Sequence, residues 1–219
     1  MESLIADTPA VTIRRVSVSS WDNNVYLLTS KRSGQQILID AAAEAPTIQA
    51  MIADASRDGP SPCVVAVVTT HQHADHVQAL AAMVAATGAS TVAGREDAAP
   101  ITRQTGVAID HLVGDGDTVT TDGIELAVIG LRGHTPGSVA LAYAEPGEPV
   151  HLFTGDSLFP GGVGNTDGDP ARFTSLLNDV VTRLFAVYAD DAIVHPGHGA
   201  PTTLGAERGH LDEWRARGW

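Results

Sequence analysis

Three histidines and an aspartate fall within six positions of this chain, in the stretch Thr70-His71-Gln72-His73-Ala74-Asp75-His76. Neutral imidazoles and a carboxylate are the donors that zinc, iron and manganese take. In an extended segment residues two apart point the same way, so His71, His73 and Asp75 are expected to converge on one point. His76 would then enter from the first helical turn. A plainer reading is a solvated helix start with Asp75 as N-cap, but four donors so closely spaced weigh against it. Three later segments each offer another donor flanked by glycine: Gly133-His134-Thr135-Pro136-Gly137-Ser138, Phe153-Thr154-Gly155-Asp156-Ser157-Leu158-Phe159 and His195-Pro196-Gly197-His198-Gly199. Glycine at such places lets backbone come close to a crowded centre.

The elements that must present these residues follow from hydrophobic patterning. The apolar run at residues 64–68 reads as a buried strand delivering His71, and residues 77–84 as the helix after it. Upstream, residues 11–18 read as a strand, and 25–29 with 36–40 as a hairpin turning at Lys31-Arg32-Ser33-Gly34. The second hairpin strand ends in Asp40. Pro46 opens a helix to about residue 56. Residues 90–93 read as a short strand, and 94–110 as a loop with a short helix. Asp115-Gly116-Asp117 and Thr121-Asp122-Gly123 bracket a strand, followed by strands at 124–131, 139–143, 150–154 and 192–195. Helices are expected at 173–185 and 204–217. Each of the three later segments offers its donor at a strand end. Strands and helices come as two successive sets, divided near residue 115, which suits an α+β fold: an αββα sandwich with helices on both outer faces.

With 219 residues the chain has room for one large domain or two small ones, and no long linker or repeat divides it. Residues 11–219 are taken as one domain, with 1–10 as a flexible N-terminus. The formal charge of −13 argues against nucleic acid or an anionic membrane as partner. The single cysteine, Cys63, excludes an internal disulfide framework and a thiolate zinc site, and is expected to pack as a small apolar residue. No signal peptide is evident and no apolar run approaches membrane-spanning length, so a cytoplasmic protein is the default expectation.

The pattern His-x-His-x-Asp-His, followed in order by the three glycine-flanked donors, resembles the metallo-β-lactamase superfamily over nearly the whole chain. That resemblance implies a first metal held by His71, His73 and His134, and a second held by Asp75, His76 and His198, with Asp156 bridging. It also places Asp40 behind the ligands as an orienting group. His195 is read as structural, and His111, His151 and His210 as surface or internally satisfied groups. Two divalent ions, zinc first with iron or manganese as alternatives, would bring the pKa of a shared water from about 16 towards 7, so hydrolysis is the simplest use of the site. Asp75 could also shuttle the proton.

An aspartate at the bridging position separates the chain from the true β-lactamases, and its acidic surface separates it from the nucleic-acid-processing branches. The Gly-His-Thr-Pro-Gly and Thr-Gly-Asp-Ser-Leu-Phe loops are most similar to those of glyoxalase II, which implies a small thioester as substrate. Glyoxalase II carries a basic C-terminal extension for glutathione, whereas about twenty residues follow His198 here. The loop Gly164-Asn165-Thr166 has a neutral Asn where thiol-related relatives often carry Arg or Lys. Another thiol carrier is therefore expected. Alternatives are a lactonase on a small cyclic ester, an iron-dependent persulfide dioxygenase, and a metal-binding module without catalysis.

Overall fold

The structure, a computed structural model, describes residues 3–218. Seven strands follow one another in chain order across the first sheet: β1 (Leu4–Asp7), β2 (Val11–Val18), β3 (Asn23–Ser30), β4 (Gln35–Ile39), β5 (Cys63–Thr69), β6 (Ser90–Gly94) and β7 (His111–Val113). The first four pair antiparallel through short turns. From β4 onward the strands are parallel, so each connection must cross over through a helix. Those helices are α1 (Ala45–Asp54), α2 (Leu80–Thr87) and α3 (Arg95–Thr105).

The second sheet contains β8 (Thr118–Thr121), β9 (Ile124–Gly130), β10 (Val139–Tyr143), β11 (His151–Gly155), β14 (Ile193–Pro196) and β15 (Thr202–Thr203), ordered β15-β14-β11-β10-β9-β8. A small hairpin of β12 (Leu158–Phe159) and β13 (Gly162–Val163) stands apart from it. Three helices cover this sheet: α4 (Pro170–Val180), which continues as a π-helical turn over Val181–Phe185, α5 (Leu204–Arg208) and α6 (Leu211–Arg217). Pro170 sits in the first turn of α4, and the Asp169 carboxylate caps it by accepting from the amides of Ala171 and Arg172.

Sheet strands alternate their side chains between two faces, and here both faces are buried. In β3, Tyr26 and Leu28 turn towards the second sheet, whereas Val25 and Leu27 meet Ile48, Met51, Leu80 and Met83 of the helices outside. In the second sheet Leu141 and Phe153 face inward, and Ala140 and Leu152 pack under Leu176, Leu177 and Trp214. The expected αββα sandwich is thus the observed one. Among the described residues, no helix is long and apolar enough to cross a membrane.

Several expectations need correction. Leu4–Asp7, within the stretch taken as flexible, forms an edge strand on β2, while residues 1–2 lie outside the described residues, as does Trp219 at the far end of the expected domain. Cys63 is exposed, because it occupies the first position of β5, beyond the cover of the helices. The short helix expected within residues 94–110 is the eleven-residue α3, whose polar composition and internal Pro100 blur its extent. The helix expected from residue 77 begins only at Leu80, and the last helix is split at Gly209-His210.

Candidate metal centre

All the candidate donors lie at one edge of the sandwich because strand directions place them there. β4 and β5 run parallel and end together, giving Asp40 and the segment from Thr70. β11 and β14 are also parallel, with Gly155 opposite Pro196, so Asp156 and His198 emerge side by side. The sheets are tied at this edge by backbone hydrogen bonds from Val139 N to Thr70 O (2.9 Å) and from Asn24 N to Gly197 O (2.7 Å). Gly197 has no substitute: a Cβ there would lie 2.1 Å from Asp156 Oδ1.

Beyond Thr69 the chain leaves the ladder and closes a 3-10 turn over Ala74–His76. That turn overturns the expectation that His71, His73 and Asp75 share one focus. His71 and His73 instead group with His134, their ring centroids 4.5–4.8 Å apart. Asp75 groups with His76 and His198: its Oδ2 lies 3.2 Å from His198 Nε2 and 3.5 Å from His76 Nε2. Asp156 stands between the groups, with Oδ1 3.4 Å from His76 Nε2, and Oδ2 3.4 Å from His198 Nε2 and 3.7 Å from His134 Nε2. All seven predicted donors are therefore brought together.

The outer nitrogens of four of the five rings are occupied. Asp40 Oδ2 lies 3.0 Å from His76 Nδ1 and accepts from the Thr70 hydroxyl at 2.8 Å, and that hydroxyl is 3.0 Å from His71 Nδ1. His134 Nδ1 meets the Asn165 carbonyl at 2.7 Å, and His198 Nδ1 the Trp21 carbonyl at 2.8 Å. Each such contact leaves Nε2 of that ring pointing inward, and a neutral ring presents a lone pair there. Nε2 of His71 and of His134 and Oδ1 of Asp156 are buried without any hydrogen-bond partner. Orphaned polar atoms carry a desolvation cost of about 1–3 kcal/mol each. A divalent cation would satisfy all three, so the donors fit one.

Charge is balanced to the same end. Burial, reinforced by the neighbouring histidines, pulls the His71 pKa well down, and burial also lowers that of His134. Both rings are thus neutral and ready to ligate. Burial opposes ionisation of Asp75 and Asp156, but contacts with His198 and, respectively, Asn23 and His76 hold both well below the usual carboxylate range. Burial likewise disfavours the charged forms of His76 and His198, yet the surrounding carboxylates push each up to about 10. A divalent cation would therefore compete with protons at these two rings.

Sequence reading missed several groups that support the centre. Asn23 Nδ2 donates to Asp75 Oδ2 at 2.9 Å. Arg172, on α4, donates from Nε to Gly133 O (2.8 Å) and from Nη2 to His134 O (2.5 Å), holding the His134 loop. A cleft of about 630 Å³ opens beside His73 and His134, with Gln72, Arg132 and Arg172 on its walls. The exposed Trp21 and the ring of Phe159, 6.4 Å from that of His198, flank the other side. His195 takes no part: it is buried, with Nε2 2.9 Å from His151 Nδ1, and its ring stacks on Phe153. His111 and His210 are exposed.

Residues 20–198 match the model of the metallo-beta-lactamase superfamily, and the chain belongs to that superfamily. It is 32% identical over 178 residues to a hydroxyacylglutathione hydrolase from Fuscovulum blasticum, an alignment covering 81% of this chain and 62% of that one. The chain thus spans less than two thirds of that relative's length. Among solved structures, ETHE1 from Myxococcus xanthus is similar with a TM-score of 0.77 at 25% identity, over 93% of this chain and 84% of the other. TTHA1623 in a di-iron-bound form is similar with a TM-score of 0.63 at 30% identity, over 89% and 96%.

Proposed function

We propose that the protein is a dinuclear metal-dependent hydrolase of small thioesters, resembling glyoxalase II. The observation that carries this reading is the position of Asp156, whose carboxylate lies between two separate donor groups rather than at the end of one. His71, His73 and His134 would hold one ion, Asp75, His76 and His198 the other, and Asp156 would be shared. Zinc suits this donor set, as do iron and manganese. Two such ions supply an activated water at neutral pH and charge to stabilise a developing oxyanion.

The chain's own residues do the rest. Asp40, Thr70 and the carbonyls of Asn165 and Trp21 fix the rings. Asp75 commits Oδ2 to His76, His198 and Asn23, which leaves Oδ1 as the atom proposed to carry the proton away from the attacking water. The cleft beside His73 is roomy enough for an extended thiol carrier, and two arginines face it in an otherwise acidic protein.

A thiolate leaves readily, its parent thiol having a pKa of about 8.5, and needs no acid to protonate it. An alkoxide does. The Tyr26 hydroxyl is committed to Pro196 O, the Tyr143 hydroxyl to Glu145, and Tyr188 packs against the core cluster of the second sheet's helices. The absence of a tyrosine acid among the described residues of the centre supports a thioester over a lactone. With zinc- and iron-loaded enzyme side by side, kcat/KM for S-lactoylglutathione should exceed that for a simple acyl-homoserine lactone by about tenfold or more. Faster lactone opening with both metals would make lactonase the correct reading. The likeness to ETHE1 keeps the iron-dependent dioxygenase alternative open. Oxygen uptake with a persulfide by the iron-loaded protein, without thioester cleavage, would select it.

A further inference from the structure

The helix α3 packs its first turn directly on the His134 loop. A Cβ on Gly94, the residue before that turn, would fall 1.9 Å from the carbonyl oxygen of Gly137. In this first turn the fully buried Asp97 turns its carboxylate to two loops at once. Its Oδ1 accepts from Gly137 N at 2.8 Å, and its Oδ2 from Gln72 N at 2.9 Å and the Thr135 hydroxyl at 2.5 Å. Two turns further along the same helix face, Gln104 Nε2 donates to Gln72 O at 2.8 Å. The residue between His71 and His73 is therefore gripped at both its N–H and its carbonyl, and the same carboxylate holds the residues after His134.

We propose that Asp97, assisted by Gln104, is a positioning residue that sets the focus of His71, His73 and His134 by fastening their two loops to one helix. This rests on the reading of those three histidines as ligands of one ion. No hydrogen bond or ion pair runs from α3 to Asp75, His76 or His198, so the effect should fall on one of the two ions. General truncation of the fold would weaken both.

Asp97→Asn tests this. It keeps the shape of the side chain but exchanges one acceptor oxygen for a donor, so either the Gly137 or the Gln72 N–H meets a like group. In zinc titrations against a chelator, one ion should bind about 10–100-fold more weakly and the other as in the parent chain. Without zinc, the amides of Gln72 and Gly137 should exchange with solvent faster. Gln104 is exposed, so Gln104→Ala keeps the test alive if the first variant does not fold. It should weaken the same ion roughly two- to tenfold, the loss of one hydrogen bond. Parent-like zinc binding and amide exchange in both variants would overturn the proposal, as would equal weakening of both ions. A parent chain that takes up no zinc would overturn the ligand reading, and the exchange rates alone would then decide the clamp.

Discussion

Asp156→Ala should lower turnover by at least about a thousandfold, well beyond the 10–100-fold expected for groups outside the ligand set, while the protein still folds. The side chain lies between three imidazoles and makes no contribution to the three apolar clusters. After its removal His76 keeps Asp40 and His198 keeps Asp75, so neither positive ring is left without a carboxylate. His195→Ala should do the reverse. It leaves His151 without its partner and a void against Phe153 and Tyr26, at a cost of about 2–4 kcal/mol in stability. Metal uptake and turnover of the folded fraction should persist. Thermal unfolding and kinetics on the two variants check both halves, and reversed phenotypes would contradict the assignment of the two loops.

The same variant should change the acid response. Burial pushes the His195 pKa down to about 3, so below about pH 6.5 the unfolded chain takes up a proton that the folded chain refuses. Stability is lost by about 1.4 kcal/mol per pH unit between those two values, and His195→Ala should remove that slope.

Asp40→Ala should damage fold and centre together. Asp40 is buried at the end of β4 with φ 57°, a left-handed conformation that aspartate tolerates better than alanine. It accepts from Thr70 N at 2.7 Å and from the Thr70 hydroxyl, and it orients His76. Its loss strands a buried amide and frees one ligand ring on each side of the centre. We expect about 3 kcal/mol less stability and zinc affinity lower by about 10–100-fold. Chemical unfolding of the metal-free protein separates the first effect from the second. Unchanged stability would mean that the Asp40 contacts are not formed in solution.

The donors were legible because ligand chemistry restricts residue type, and four of them sit together in six positions. Their grouping was implied by the family resemblance but not by local periodicity. Alternation along an extended segment puts Asp75 with His71 and His73, but the 3-10 turn at Ala74–His76 sends it to the other side. The sandwich could be read because its strands are apolar on both faces, as in β3. In α3, by contrast, only Ala98 and Ile101 are buried apolar residues, and Pro100 interrupts the pattern. Asn23, Asp97 and Arg172 carry no local signature at all, since each acts on backbone or side chains distant in sequence. The β1 edge strand is half-exposed and short, too weak an alternation to distinguish from a loose end.

The central claim is that two donor groups share Asp156, and metal content tests it most directly. Elemental analysis of the purified protein after gentle dialysis should give close to two divalent ions per chain, and Asp156→Ala should hold fewer. A reproducible content of one ion per chain with full hydrolytic activity would contradict the account.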